Sequence, residues 1–357
     1  MNENQKQREA LVKKLFPNGI PKLWGAAITH FDGPAHVNGA RTAPHFKYMT
    51  QYIEGFLSPS TTGDGWLMSD EEILQLLDVL TENAKAYNAK ILVGILKTTT
   101  DQVLEGIRQV VNHAEKNSGK EGVEALLSSG FYGFAVCPPG GSELTQDEIG
   151  NGLETVLALG YPTALYQLPQ FTHNEMSPEL VARLAGAYPN FILFKDTSSG
   201  DKVALAKNDY QGVFFVRGAE GRYAEWQKKG GGVYDGFLLS TVNSFPGELS
   251  EVIALLQQGK IAEAKEISSR VDKCVQQVFE AVGAVQESNP FANANKAVDH
   301  FNAYGDKALE VEPPLLFSGA NMPGDVLKNV EDILKKNGFF KPNGYLTTEI
   351  NVDQGAL

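Results

Sequence analysis

The sequence has few cysteines and histidines. Its only two cysteines among 357 residues, Cys137 and Cys274, are far apart and form no CxxC pair. Neither a disulfide framework nor a structural zinc site is therefore indicated. The six histidines form no His/Glu cluster with metal-ligand spacing, so we expect neither a metal site nor a cofactor.

Basic residues are in the minority and long apolar runs are absent. Lys and Arg number 31 against 43 Asp and Glu, which gives a net charge of -12 and argues against a nucleic-acid partner. No apolar run approaches the roughly 20 residues of a membrane-spanning helix. The N-terminus, MNENQKQREALVKKLF, is polar and lacks the apolar centre of a signal peptide. We therefore expect a cytoplasmic protein that does not bind membranes.

Short apolar runs alternate along the chain with segments of helical periodicity. Such alternation indicates parallel strands joined by right-handed crossovers. Eight units over about 220 residues match a (β/α)8 TIM barrel, whereas an open doubly wound sheet would have a glycine fingerprint that Trp24–Asp32 lacks. The predicted strands are Leu23–Thr29, Tyr52–Leu57, Lys90–Ile95, Gly133–Val136, Thr163–Leu168, Phe191–Lys195, Gly212–Val216 and Tyr234–Leu239.

Local signals place the first helices of this alternation. Ser69 with Glu72 predicts a capping box at the start of a helix over Asp70–Ala86. Ser177 followed by proline predicts another helix start. The long segment Thr98–Ser129 contains the polar piece HAEKNSGKEG, which we interpret as a surface insertion.

The pattern divides the chain into three parts. Residues 1–20 are predicted to form an N-terminal helical extension, 21–247 the barrel, and 248–357 a C-terminal helical domain and tail. Within the last part, helices are expected over 248–258 and 261–286, followed by a tail punctuated by proline and glycine.

Lys195 lies at the end of an apolar predicted strand. The run FILF before it is of the kind that is buried in parallel sheets. Burial lowers the pKa of an ammonium group, and the resulting neutral amine can attack a carbonyl carbon to form a Schiff base. A lysine at a strand end can also extend its head into water. This stretch alone leaves both interpretations open.

Other strand ends carry groups that suit the same chemistry. Thr61-Thr62-Gly63 can bind a carboxylate in a backbone nest, or can be an ordinary polar turn. Tyr166 can transfer protons through its phenol, or can pack with its hydroxyl in water. Because active sites of barrels lie at the C-terminal strand ends, an amine, a phenol and a carboxylate nest there are the parts needed to make a pyruvate enamine.

Four motifs make the comparison with a known family specific. STTGD at 60–64, followed by WLMSDEE, resembles the G-[ST]-T-G-E loop, and YQLP at 166–169 resembles the tyrosine motif Y-N-x-P. KDTSSGD at 195–201 resembles the Schiff-base lysine motif, and DGFLLSTVN at 235–243 resembles D-G-x-x-S-T-x-N. In order and spacing, about residues 20–320 resemble the dihydrodipicolinate synthase / N-acetylneuraminate lyase family, the class I pyruvate aldolases.

The resemblance implies roles for individual residues. Lys195 would form the imine with a 2-oxo acid, Tyr166 would shuttle protons, and Thr61 would join this relay while helping to hold the carboxylate. The implied substrate contacts are Thr62, Gly63, Thr197, Glu220, Leu238 and Ser240. By the same resemblance Glu220 accepts substrate hydroxyls, although it can instead pair with Arg217 or Arg222.

Three departures from the family pattern bear on function. Many members carry a tyrosine after the fourth strand that joins the relay of a neighbouring subunit, but CPPGGS at 137–142 has none. Phe171 replaces the arginine of dihydrodipicolinate synthases, so no guanidinium is placed to meet a second carboxylate. His30 replaces a proline after the first strand, where it can touch substrate or serve as a capping or loop histidine.

These features predict an enzyme, a class I aldolase or lyase that joins or cleaves pyruvate and a sugar-derived aldehyde. One alternative is a dehydratase of a 2-oxo-3-deoxy sugar acid that uses the same lysine. The other is a non-catalytic sensor of 2-oxo acids, and dihydrodipicolinate synthase itself is disfavoured. The resemblance further implies a homo-oligomer, a tetramer or a dimer.

Overall fold

The computed structural model describes residues 2–347, which form a closed barrel of parallel strands with helices outside it. The predicted TIM-barrel fold is confirmed. We number the barrel strands β1 (Leu23–Ala26), β2 (Gly55–Leu57), β3 (Lys90–Ile95), β4 (Phe131–Val136), β5 (Thr163–Gln167), β6 (Phe191–Asp196), β7 (Phe214–Arg217) and β8 (Gly236–Leu239). Strand β1 pairs with both β8 and β2, which closes the barrel.

The strands are short and apolar because both of their faces are covered. All four residues of β1 and all six of β6 are buried. Predicted strand bounds differ most at two places. Strand β1 ends at Ala26 rather than Thr29, and β2 begins at Gly55 because Tyr52 lies in the exposed turn before it.

Fourteen α-helices surround the barrel in residues 2–347. They are α1 (Glu3–Leu15), α2 (Gly39–Met49), α3 (Asp70–Tyr87), α4 (Thr100–Ser118), α5 (Gly122–Ser128), α6 (Gln146–Leu157), α7 (Pro169–Thr172), α8 (Pro178–Ala187), α9 (Lys202–Leu205), α10 (Tyr223–Trp226), α11 (Pro246–Gln257), α12 (Ile261–Val282), α13 (Pro290–Tyr304) and α14 (Gly324–Asn337). A small antiparallel hairpin, Phe31–Gly33 with His36–Val37, lies between β1 and α2.

The predicted helix starts are confirmed. Ser69 and Glu72 form the reciprocal capping box of α3, and Ser177 caps α8 with proline in its first turn. The segment interpreted as a surface insertion instead forms two helices, α4 and α5. Its polar piece, residues 113–122, is the C-terminal end of α4 and the turn into α5, and five of these ten residues are exposed.

The C-terminal part contains more helix than the sequence pattern indicated. The prediction of a proline- and glycine-punctuated tail after residue 286 was wrong, since α13 and α14 follow, and α13 is buried along most of its length. The sequence of α13, PFANANKAVDHFNAY, has too few large apolar side chains to show helical periodicity. The last predicted tail residues, 348–357, lie outside the described residues.

The proposed division at residues 20 and 247 stays a prediction. Helix α1 packs on α8 and β6, and α11 packs on β1, so neither flanking part is separate from the barrel. The guanidinium of Arg8 in α1 donates hydrogen bonds to the carbonyls of Ala185, Tyr188, Phe191 and Gln211. Among residues 2–347, no helix combines the length and apolarity needed to span a bilayer.

Candidate active site

A cavity of about 340 Å³ opens at the C-terminal ends of the barrel strands. Strands β5, β6 and β8 and the turn after β2 supply its floor, and α12 and α13 cover one side. Of the predicted site residues, Lys195, Tyr166, Thr61, Thr62, Thr197, Glu220, Leu238 and Ser240 line it. Gly63 does not.

Lys195 lies on β6 with 4% of its surface exposed. Its Nζ atom is 3.8 Å from the centroid of the Tyr166 ring on the neighbouring strand, where the two residues are paired in register. No carboxylate of residues 2–347 lies within salt-bridge distance of this amine. Burial lowers the pKa of Lys195 to about 7, although Cys137 and Glu220 oppose that fall. A large share of the amine is therefore neutral and nucleophilic near pH 7.

Tyr166 is 2% exposed. Burial raises the pKa of its phenol, while hydrogen bonding to the hydroxyls of Thr61 and Thr197 opposes the rise. The Thr197 hydroxyl donates its proton to the carbonyl of Gln167, 2.5 Å away. Because each hydroxyl has one proton, only Thr61 of these two can donate to the phenol oxygen.

The turn after β2 holds both threonines at the floor of the cavity. Within residues 2–347, the backbone N–H groups of Thr61 and Thr62 have no hydrogen-bond acceptor, so they are available to a carboxylate. The N–H of Gly63 donates instead to Ser60. A Cβ atom on Gly63 would lie 2.6 Å from the Ala27 carbonyl oxygen, so the packing of this turn requires glycine here. The predicted contact of Gly63 with substrate stays a prediction.

Residues of α13 and the turn before it hold this loop from behind. The Nζ atom of Lys296 lies 2.8 Å from Oδ2 of Asp64, and both side chains are almost fully buried. The side-chain amide of Asn289 donates to the Thr61 carbonyl at 2.9 Å, and Ser288 donates to Asp64. The C-terminal helices therefore fix the position of the threonine loop.

The Glu220 carboxylate is bonded to the end of β8 rather than to an arginine. Its oxygens accept from the hydroxyl and N–H of Ser240 (2.6 and 3.1 Å), from both groups of Thr241 (2.5 and 3.2 Å) and from the phenol of Tyr223 at 3.1 Å. Five donors fill a carboxylate. The alternative pairing with Arg217 or Arg222 was wrong, since Arg217 bonds to Asp201 and no salt bridge within residues 2–347 joins Arg222 to Glu220.

The filled carboxylate of Glu220 fixes the direction of the Ser240 hydroxyl. Ser240 donates its proton to Glu220, so its oxygen lone pairs remain to accept a hydrogen bond from a ligand. Leu238 precedes it by two residues on the same strand, is 1% exposed and supplies an apolar part of the floor.

Sequence reasoning missed the side chains that α12 and α13 bring to the cavity. These are Asp272, Val275, Gln276, Phe279 and Phe291. The spacing of the α12 residues matches one helical face, but a polar face with scattered rings is typical of an exposed surface. The ring of Phe171 completes this wall and stacks on Trp66, with centroids 5.1 Å apart and planes 12° apart.

His30 lies outside the active-site cavity. It lines a second cavity of about 530 Å³ between the hairpin, α2, α13 and the loop after α13. Its Nε2 atom bonds to Asp299 at 3.0 Å, and burial and Arg41 lower its pKa to about 3. Of the two alternatives from the sequence, the loop histidine is the one observed.

His30, His45 and Asp299 form a buried group whose ligand atoms lie within 4.8 Å of one another. Sequence spacing could not reveal it, since the three residues come from distant segments. Asp299 already accepts from Arg41 at 2.5 Å and from the phenol of Tyr345 at 2.8 Å. The adjacent guanidinium charge opposes the binding of a cation.

Comparisons with known proteins show the family and the fold of this chain. A sequence profile of the dihydrodipicolinate synthetase family matches residues 21–290. The 4-hydroxy-tetrahydrodipicolinate synthase of Prosthecochloris aestuarii is 26% identical over 232 residues, 64% of this chain and 70% of its own.

Solved structures show the same fold at lower identity. CdNal from Clostridium difficile, crystallised with mannosamine, superposes with a TM-score of 0.69 at 13% identity, over 90% of this chain and 100% of its own. YagE, a prophage protein from E. coli K12 crystallised with pyruvate, gives 0.68 at 17% identity, over 90% and 99%. The profile match spans most of the chain, and the protein belongs to the dihydrodipicolinate synthetase family of class I aldolases and lyases.

Proposed function

We propose that this protein is a lysine-imine aldolase or lyase whose covalent substrate is pyruvate. The observation that carries the proposal is the buried amine of Lys195, which lies over the Tyr166 ring with its pKa lowered to about 7. Thr61 and Thr62 line the same cavity, and their N–H groups, which have no acceptor within residues 2–347, suit the pyruvate carboxylate.

The residues account for each proton in such a reaction. The neutral Lys195 amine attacks the ketone, and one proton of its nitrogen passes to the ketone oxygen. The phenol of Tyr166 gives this oxygen a second proton, and the oxygen leaves as water. The phenolate then removes a proton from the methyl carbon, which converts the iminium to an enamine. The enamine attacks the aldehyde carbon, and the aldehyde oxygen takes that proton from Tyr166. Hydrolysis of the product iminium returns the amine and the phenol.

The aldehyde partner is proposed to lack a second carboxylate. Lys195 is the only Lys or Arg on the cavity wall within residues 2–347, and Phe171, Asp272 and Glu220 stand at its mouth. The second carboxylate of a dicarboxylic product would have no guanidinium on the cavity wall formed by residues 2–347 to bind to, and it would lie near two acids. Condensation with aspartate semialdehyde, the reaction of dihydrodipicolinate synthase, is therefore disfavoured.

For the remainder of the aldehyde we propose a hydroxylated, sugar-derived chain. The lone pairs of Ser240 can accept a hydroxyl proton, and the amides of Gln170 and Gln276 at the mouth can donate or accept. A second candidate is an aryl aldehyde, favoured by the rings of Phe279 and Phe291 on the wall. Cleavage of a 2-oxo-3-deoxy sugar acid, compared with a 4-aryl-4-hydroxy-2-oxo acid, distinguishes them.

Imine trapping tests the proposal. Pyruvate with borohydride should add one reduced pyruvoyl group, and peptide mapping should place it on Lys195. Lys296 is an internal control, since it is equally buried but paired with Asp64. Modification of Lys296, or no adduct, would refute the assignment. The Lys195→Arg variant should not react because a guanidinium stays protonated.

Product analysis separates the alternatives that share this imine. Release of pyruvate from a 2-oxo-3-deoxy sugar acid identifies an aldolase, and loss of water without pyruvate identifies a dehydratase. A protein that traps pyruvate but turns over none of these acids would be the sensor. We further propose that the protein is cytoplasmic and that it forms a homo-oligomer, a tetramer or a dimer. Sedimentation analysis can test the oligomeric state.

A further inference from the structure

One side chain, Trp66, contacts both Thr61 and a residue that departs from the family sequence, Phe171. The indole N–H donates to Oγ1 of Thr61 at 3.1 Å. The face of the same indole stacks on Phe171, the residue that stands in place of an arginine. The stretch after β4 that lacks the family's tyrosine supplies no donor to Thr61 in residues 2–347.

Which group donates and which accepts around Thr61 follows from the number of protons that each side chain carries. An indole N–H can only donate, so the Thr61 oxygen accepts from Trp66 and its own proton points elsewhere. Thr61 and Tyr166 line the same cavity, and interaction with the Thr61 hydroxyl lowers the pKa of the Tyr166 phenol. We therefore assign that phenol as the acceptor of the Thr61 proton, since the Thr197 hydroxyl donates to the Gln167 carbonyl. Thr61 is 6% and Tyr166 2% exposed, so water competes little for these bonds.

We infer that Trp66 is a positioning residue that completes the Tyr166–Thr61 relay from within a single chain. It orients the Thr61 hydroxyl, which then stabilises the phenolate that Tyr166 becomes each time it gives up its proton. Trp66 itself transfers no proton. Phe171 keeps the indole plane in place by stacking on it. In this proposal, Trp66 compensates for the missing tyrosine, and the phenylalanine that replaces the arginine supports Trp66. This inference rests on the proposed function.

The exchange of the pyruvate methyl protons for deuterium, followed by NMR, isolates the relay from the unknown aldehyde. Enamine formation removes a methyl proton, and reversal in D2O returns a deuteron. The Trp66→Phe variant keeps an aromatic ring against Phe171 and loses the N–H together with the five-membered half of the indole. We expect kcat for exchange to fall about 10-fold to 100-fold, below the range for a lost acid–base group itself, with KM for pyruvate within about threefold.

A double variant separates positioning from a general structural defect. If Trp66 acts through Thr61, then Trp66→Phe should cause no further loss of exchange in a Thr61→Val background, since coupled residues are not additive. Trp226→Phe, a change outside the cavity, is the matched control and should exchange like the wild type. Losses that multiply in the double variant, or an unchanged kcat in Trp66→Phe, would overturn the inference.

Failure of the inference is distinguishable from failure of the proposed function. If the wild type traps pyruvate on Lys195 and Trp66→Phe exchanges normally, only the role of Trp66 is refuted. If the wild type traps no pyruvate at all, the proposed function itself is refuted.

Discussion

Replacing Lys195 by methionine should stabilise the folded protein while abolishing imine formation. The pKa of Lys195 falls from 10.5 to about 7 on folding because the amine is buried, and no carboxylate of residues 2–347 lies within salt-bridge distance of it. At about 1.4 kcal/mol per tenfold change in proton affinity, this difference corresponds to a cost of roughly 4–5 kcal/mol for the charged form. Methionine has a similar shape and no charge. We expect a gain of about 2–4 kcal/mol in the free energy of unfolding at pH 6, after relaxation around the site.

The gain should depend on pH in a defined direction. Below pH 7 both the folded and the unfolded lysine carry the proton, and the full cost of burying the charge is present. Between pH 7 and about 10.5 the folded lysine is neutral while the unfolded one is charged, so the stability of the wild type rises with pH. The advantage of Lys195→Met should therefore shrink through this window and vanish near its upper end.

Urea unfolding at pH 6, 8 and 9.5 measures this difference. Lys296→Met is the matched control, since it removes an equally buried lysine that is paired with Asp64. Loss of one partner of a buried pair leaves an uncompensated carboxylate, and we expect a destabilisation of about 3–5 kcal/mol. If Lys195→Met were destabilising like the control, Lys195 would be a structural ion-pair lysine and the reasoning about its amine would be wrong.

The other predictions concern the relay and the cavity wall. Tyr166→Phe should lower kcat about 10²–10⁴-fold while imine trapping persists more slowly; steady-state kinetics would exclude the relay role if turnover were normal. Glu220→Gln should raise KM for a sugar acid, because its amide group can no longer accept from both Ser240 and Thr241, and pyruvate trapping should change little; an equal loss in trapping would contradict this separation. Gly63→Ala should disrupt the threonine loop against the Ala27 carbonyl, so binding of pyruvate measured by trapping should weaken; normal trapping would show that the loop can shift at no cost.

The barrel and its reacting residues were predictable because their signals are local. A strand that is buried on both faces has a continuous apolar run as its sequence. Each motif residue lies within a few positions of a strand end. Lys195, Tyr166 and the threonine loop therefore needed only the rule that parallel strands end on the same side of a barrel. Their catalytic roles stay predictions until the trapping and kinetic measurements are made.

The cavity wall could not be predicted because it depends on tertiary packing. Nothing in the sequence around Asp272 or Phe279 distinguishes a helix face over the barrel mouth from one in solvent. The bonds of Glu220 were missed for a related reason, since Tyr223 and Ser240 reach it from separate elements. Buried α13 was missed because its alanines and asparagines carry no hydrophobic periodicity.

Because of its stacked position, the fluorescence of Trp66 can also report on the active site. Only three tryptophans are present; Trp24 is fully buried and Trp226 lies over Arg217. Of the three indoles, only that of Trp66 is hydrogen-bonded to Thr61, which lines the candidate active-site cavity. A change in emission on adding pyruvate that disappears in Trp66→Phe would let imine formation be followed in real time, without a coupled assay and before the aldehyde is known.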